Sequence, residues 1–320
     1  MNTTPEPPAP SATPAPSVTL APSVTLVHTC LRDGAGGSPT AVVVDEEEWP
    51  DAARRRVPAE SGASHAVFLR VRHEASREPT VDLRFFTAEG ELPACGHGTV
   101  AALAFLADRA GPGGRLRATV RTARRAFEGW SVRDGDRVTA AFDPGPVGLR
   151  GPTDDERELA LSALGIPSGQ AGRDAAPQAS REPGWGMRVA GVGRERLLVP
   201  VPTRAALAAL RPDLDRLREG CDRLGLLGAY VHSPPSGAGR LAARMFAPSI
   251  GVPEDIANAN STACLAAHLA GRGVTEIAVD MGDALGSPAT ITASAVPGPW
   301  GPRICLGGSA RIGEAARSAG

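Results

Sequence analysis

At 320 residues, with 34 basic and 35 acidic side chains and a formal net charge of −1, the chain suffices for one large or two medium domains and has no electrostatic footprint for nucleic acid. Aromatic residues make up only 4%, which also disfavours a base-stacking surface. Lysine is absent, which excludes the Schiff-base nucleophile of pyridoxal enzymes and the lysine of a P-loop.

Residues 1–26 are rich in Pro, Ala, Ser and Thr, and "APSVTL" occurs twice in tandem. Such a segment cannot bury enough apolar surface to order itself and is expected to be a disordered tail. Folded sequence is expected from Val27. The runs "TAVVV" (40–44), "AVFLRV" (66–71) and "TVDLRFF" (80–86) have strand length and β-branched content. A helical run follows at about 98–106, then the strand-like "RATVRTA", "FEGWSV" and "RVTAAF", the last ending at Phe142. "DPGPVGLRGP" (143–152) punctuates the chain and places a boundary between halves at 27–146 and 147–313, with a short tail at 314–320.

The second half repeats the plan. Strands "RLLVPV", "GAYVH" and "LAARMF" lead into a loop and an apolar run at 263–270, followed by "TEIAVDM", "ATITASAV" and "RICLGG". "RFFTAEGELPACGHGTVAALAFLA" from Arg84 and "RMFAPSIGVPEDIANANSTACLAAHLA" from Arg244 share one layout. Each ends a strand with Arg, a hydrophobe and Phe, passes through a polar loop, and opens an apolar helix with small residues. Helices apolar on every side are buried on every side. The expected fold is α+β: two pseudo-symmetric halves, each a barrel-like sheet wrapped around a central helix.

The five cysteines (Cys30, Cys95, Cys221, Cys264, Cys305) are odd in number and scattered, which reads as reduced thiols. No apolar run approaches the roughly 20 residues of a membrane span, and the start lacks the basic and apolar segments of a signal peptide. The expectation is a soluble cytoplasmic protein with no membrane or nucleic-acid partner. "DGAGGSP" (33–39) resembles a phosphate loop but precedes a strand, so no dinucleotide site is expected. Cys95 and His97 lack sequence-near companions, and His28, His73, His232 and His268 are dispersed, so no metal is expected.

"PACGHGT" (93–99) and "EDIANANSTA" (254–263) place two small-residue helix starts opposite one another. Their free N–H groups and helix dipoles make a binding site for a carboxylate.

These segments resemble the phenazine-biosynthesis (PhzF-like) branch of the diaminopimelate-epimerase-fold proteins. "GGSPTAVVV" (36–44) matches the family's Gly-Asn-Pro-x-x-Val opening, and "RFFTAEGELPACGHGT" its Phe-Thr-Pro…Cys-Gly-His-Ala-Thr segment. "RMFAPSIGVPED" matches its Arg-x-Phe-x-Pro…Glu-Asp loop, and "GDALGSP" (282–288) its Gly-x-x-x-Gly-Arg-Pro connection, with Ser287 in place of arginine. The resemblance spans about 27–310 and implies a cofactor-free isomerase or epimerase, with a homodimer as the expected assembly. Its substrate would be a small carboxylic acid.

The resemblance also implies the candidate residues. "SHAVF" (64–68) lies on the family's Ser-Glu-Thr-x-Phe, which puts His65 where the family has its proton-shuttling glutamate. Asp255 and His97 keep their family identities, while Asn258, Ala259 and Asn260 replace Thr, Gly and Ser. His65 and Asp255 are the expected proton handlers and His97 a donor to substrate; Cys95, Gly96, Gly98, Asn258, Ala259, Asn260 and Ser261 are expected to hold the acid. An imidazole of ordinary acidity, near 6.5, would place the pH response near neutrality. The complete use of arginine suggests a GC-rich bacterial genome. For such a genome the resemblance implies a tailoring isomerase of a natural-product pathway, acting on an alkyl-substituted pyrroline carboxylate on the way to a 4-alkylproline. Two alternatives stay open. Proline racemases also carry Cys-Gly-His-Gly-Thr and use Cys95-type thiolates in pairs, although Asn258 stands where the second thiol belongs. The other alternative is a non-catalytic small-acid binder.

Overall fold

The computed structural model describes residues 24–46, 49–72, 78–166, 186–298 and 301–316. In the first half these form β1 (Val24–Thr29), β2 (Ser38–Val44), α1 (Asp51–Glu60), β3 (His65–Arg72), β4 (Thr80–Phe86), β5 (Glu91–Leu92), α2 (Gly96–Arg109), β6 (Arg115–Arg121), β7 (Ala126–Asp134) and β8 (Arg137–Phe142). The second half begins with β9 (Gly148–Arg150), α3 (Asp154–Leu164), β10 (Arg188–Val192), β11 (Arg194–Pro200), α4 (Arg204–Ala209), α5 (Leu214–Leu224), β12 (Ala229–His232) and β13 (Arg240–Ala247). It ends with β14 (Val252–Asp255), α6 (Ala259–Ala270), β15 (Glu276–Met281), β16 (Ala289–Val296) and β17 (Arg303–Ala316). The result is a mixed α+β fold with a large sheet and few helices.

The order of strand pairings repeats. In the first half β1 runs antiparallel to β2, β2 parallel to β3, and β3 antiparallel to β4. Beyond it β4 pairs in parallel with β6, and β6, β7 and β8 follow antiparallel. In the second half β10 to β13 give antiparallel, parallel, antiparallel; β13 then pairs in parallel with β15, and β15, β16 and β17 follow antiparallel. The last strand also serves the first half. Besides β16 it pairs with β8 and, further along, with β1.

That strand corrects two expected boundaries. The second "APSVTL" does not lie wholly in a tail: Val24, Thr25 and Leu26 belong to β1, paired with both β2 and β17. The β-branched side chains of Val24 and Thr25 suit a strand held on both edges. Likewise residues 314–316 continue β17. The rest of the expected N-terminal tail, 1–23, and of the C-terminal tail, 317–320, lies outside the described residues.

The apolar run of α2, of Ala, Leu, Val and Phe, is buried on almost every side, and α6, made largely of Ala, Leu, Ser, Thr and Cys, is likewise buried. Alanine-rich helices let strands approach closely. The Cβ that Gly129 lacks would lie 2.9 Å from Leu103 Cδ1 of α2. The Ser131 hydroxyl of β7 donates to the Leu103 carbonyl at 2.9 Å, so α2 is fastened as well as packed. Helices α1, α3 and α5 lie in stretches where charged residues break up the apolar runs, and α4 is only six residues long, RAALAA.

The halves also meet where two of the sequence motifs touch. Gly37 N–H donates to the Pro288 carbonyl at 2.9 Å, and the Ser287 hydroxyl donates to the Gly37 carbonyl at 2.7 Å. Gly36 has φ +65°, and a Cβ there would come within 2.2 Å of the Pro288 oxygen. These motifs therefore form a junction between the loop before β2 and the loop before β16.

Candidate active site

The repeated Arg-x-Phe segments do the same work twice. On β4, Arg84 forms a two-pronged pair with Glu91 of β5 at 2.8 and 2.6 Å and lies 5.1 Å over the Phe86 ring. On β13, Arg244 pairs with Glu254 of β14 at 2.9 and 2.7 Å and lies 4.8 Å over Phe246. Each clamp fixes the short strand that leads into α2 or α6. Successive strand residues point to opposite faces, so Glu254 is taken by the clamp while Asp255 turns inward and is buried.

The two helix starts meet. A Cβ on Gly96, the first residue of α2, would lie 2.5 Å from Ala259 Cβ and 3.2 Å from the Asn260 nitrogen. Only glycine permits that approach. Helix α2 is preceded by Cys95, whose side chain caps nothing, so its first amides have no side-chain acceptor. Helix α6 is capped by Asn258, whose Oδ1 accepts from Ser261 N–H at 3.0 Å, leaving the Ala259 and Asn260 amides without an intrahelical acceptor.

A cavity of about 200 Å³ lies at this junction, lined among others by His65, Cys95, His97, Asp255, Asn258 and Asn260. His65, at the start of β3, is buried, with Nδ1 2.8 Å from the Ser64 hydroxyl. Its ring meets that of His97 edge to face, centroids 4.3 Å apart and planes at 85°. Cys95 Sγ lies 3.4 Å from His97 Nε2. Asp255 accepts from the Ala257 amide at 3.3 Å and from the Asn258 amide group at 3.0 Å.

The electrostatics separate the two imidazoles. Burial, and then the charge of His97, push His65 well below the usual 6.5. Burial alone would also lower His97. The Cys95 sulfur, by charge and by hydrogen bond, together with Asp255 and the Ala257 carbonyl, outweighs it and lifts His97 to about 9. Burial raises Asp255 against the opposing pull of His97, Asn258 and Ala257. The expectation of an ordinary imidazole at position 65 is therefore corrected: the ring is buried and faces a cationic neighbour.

Of the expected acid-holding residues, Cys95, Gly96, Asn258, Ala259 and Asn260 line the cavity; Gly98 and Ser261 do not. Gly98 packs behind, where a Cβ would lie 3.0 Å from Phe85 and 3.1 Å from Cys95 Sγ, so its lack of a side chain makes room for the sulfur. The Ser261 amide is taken by the Asn258 cap, and its hydroxyl faces Met245 Sδ at 3.6 Å. Both are corrections, because the first turn of a helix points only some of its groups forward. Cys264 is buried in the core. Cys30 is also buried outside the lining and is pushed up to about 12, mainly by burial.

Two features escaped sequence reasoning. His65, Cys95 and His97 bring one donor atom each within 4.8 Å of one another, a two-histidine, one-thiol set that zinc accepts. Spacing could not reveal it, because His65 joins from a different strand. The second is Arg196 on β11, which lines the same cavity and is 2% exposed. A charge at the head of the otherwise apolar "RLLVPV" was the available signal.

Relatives bear on the class. The uncharacterized isomerase YddE of Escherichia coli O157:H7 is 27% identical over 244 residues, 73% of this chain and 74% of the relative. The trans-2,3-dihydro-3-hydroxyanthranilate isomerase of Pseudomonas fluorescens is 29% identical over 268 residues, 81% of this chain and 85% of the relative. The solved structure of a predicted epimerase from Pseudomonas aeruginosa has the same fold, with a TM-score of 0.75 at 24% identity over 93% of this chain and 99% of that one. The protein is an isomerase. A family model described as phenazine biosynthesis-like protein matches residues 32–312, and the chain belongs to that family.

Proposed function

We propose that this isomerase moves a proton, and with it a double bond, within a small carboxylic acid, without a cofactor. The observation that carries this reading is the pair of buried imidazoles, 4.3 Å apart and shifted in opposite directions, beside two convergent helix starts. Groups whose environments push their acidities apart divide into a base and an acid. With its proton on Nδ1 facing Ser64, neutral His65 presents the Nε2 lone pair and takes a proton from a carbon of the bound acid. The electron pair left behind forms the new double bond, and the old one opens toward its far carbon. That carbon receives a proton from the His97 imidazolium, and the proton taken up by His65 passes to solvent as His97 is reprotonated. Nothing is oxidised or reduced. Asp255 orients Asn258 and keeps His97 charged, and the helix amides hold the carboxylate.

The fold reads as two pseudo-symmetric halves, each wrapping a helix, with the substrate between them. A cyclic unsaturated acid suits a cavity of about 200 Å³. We take an alkyl-substituted pyrroline carboxylate of bacterial natural-product biosynthesis as the candidate, handled by a cytoplasmic homodimer. The proline-racemase reading is weaker, because the position opposite Cys95 is a capping asparagine, Asn258. The test is incubation of the protein with an alkylidene pyrroline acid in deuterated water. Deuterium at one carbon with a shifted ultraviolet band supports the proposal; an unchanged spectrum and no incorporation refute it.

A further inference from the structure

We infer that Arg196 is the ionic anchor for the carboxylate of the substrate, so that the acid enters with its charged end against β11 and α6 and its reacting carbons toward His65 and His97. The inference rests on the proposed reading of the cleft as a small-acid site and adds the direction in which the acid lies.

The side chain is 2% exposed, yet among the described residues no carboxylate forms an ion pair with it. Its Nη2 donates to the Arg194 carbonyl at 2.5 Å and its Nη1 to the Ser261 hydroxyl at 3.5 Å; its Nε is buried and has no hydrogen-bond partner among the described residues. A buried guanidinium without a counter-charge is costly. Its position makes the cost greater. Ser261 lies in the first turn of α6, whose dipole already concentrates positive potential there, so the arginine sits against a like charge. Neither neutral partner offsets that repulsion. An anion arriving in the cavity would satisfy the guanidinium and the α6 amides together, and a planar carboxylate fits the guanidinium fork with two parallel hydrogen bonds.

The arrangement also divides the cavity by role. Arg196 and the α6 amides come from the second half, whereas His65, Cys95 and His97 come from the first. A carboxylate fixed on one side presents its ring carbons to the other. The site then selects acids over the corresponding amides or esters.

Calorimetric titration with cyclopent-1-ene-1-carboxylate, and separately with its neutral carboxamide, tests the anchor without any turnover. Wild type should bind the acid and bind the amide far more weakly. Arg196→Met should lose about 10- to 100-fold of the affinity for the acid, as expected for a charge-assisted hydrogen-bonded pair. Its ligand-free melting temperature should be no lower than that of wild type, since an uncompensated buried charge has been removed. Should Arg196→Met not fold, Arg196→Lys and Arg196→Gln replace it, with acid binding kept in the first and lost in the second. Unchanged acid affinity in the neutral variants overturns the inference, as does a wild type that binds acid and amide alike or binds neither. Arginine-dependent acid binding in a protein that exchanges no deuterium would refute the proposed proton shift and leave the anchor standing.

Discussion

His65 and His97 lie with ring centroids 4.3 Å apart, and each shapes the acidity of the other's surroundings. His97 carries the charge because Cys95 and Asp255 support it, and that charge helps keep His65 neutral. Turnover needs His65 unprotonated and His97 protonated. The rate should therefore rise through an ionisation well below 6.5 and fall through one at about 9. A kcat/KM profile measures both limbs. A single ionisation near 6.5 would contradict the division of roles.

Cys95→Ser should keep much of the rate, because a hydroxyl keeps the packing and the helix amides still hold the acid. It should, however, move the alkaline limb toward neutrality, since the sulfur is what chiefly raises His97. The three-donor cluster is tested on the wild type. Dialysis against a strong chelator should leave wild-type turnover intact; loss on chelation and recovery with zinc would make His65, Cys95 and His97 metal ligands instead.

Gly96→Ala would place a methyl group 2.5 Å from Ala259 Cβ. Both contacts are on helix starts, so the starts must part and the cleft must widen. Misplacement of about 1 Å can cost about a hundredfold in rate. We expect that loss in kcat with a fall of only a few degrees in melting temperature. A fully active variant would mean that the close approach does not position the site.

Much of this was legible in the chain. Strands β4, β8 and β16 have the bounds that their apolar, β-branched runs suggest, and the repeated Arg-x-Phe and small-residue helix starts led to the cleft. What escaped has physical causes. Helix α5, "LDRLREGCDRL", buries a narrow stripe under a charged face, so no apolar run marks it. Strand β17 outlasts its apolar portion because β8 and β1 continue to pair with it. Ser261 and Arg196 exchanged importance for a similar reason. Proximity to a motif says nothing of which way a side chain faces, and the bond between them joins residues 65 positions apart.

Buried histidines should also set the acid limit of stability. His232 is lowered to about 4 and His268 to about 3, each chiefly by burial, from 6.5. Below pH 6.5 the unfolded chain takes up protons that the folded chain refuses, so stability is full above 6.5 and falls toward pH 4. The slope is about 1.4 kcal/mol per pH unit for each such histidine. Denaturant unfolding between pH 7 and 4 should reveal it, with a shallower slope in His232→Asn. Equal slopes in the two proteins would remove His232 from the account.

The most direct measurement is solvent deuterium incorporation into an alkylidene pyrroline acid, compared between His65→Gln and Cys95→Ser, with acid binding followed in parallel. A general base contributes about a hundred- to ten-thousand-fold. His65→Gln should lose incorporation by that factor while still binding the acid, and Cys95→Ser should retain it. An active His65→Gln beside an inactive Cys95→Ser would contradict the assignment and give the chemistry to the thiol.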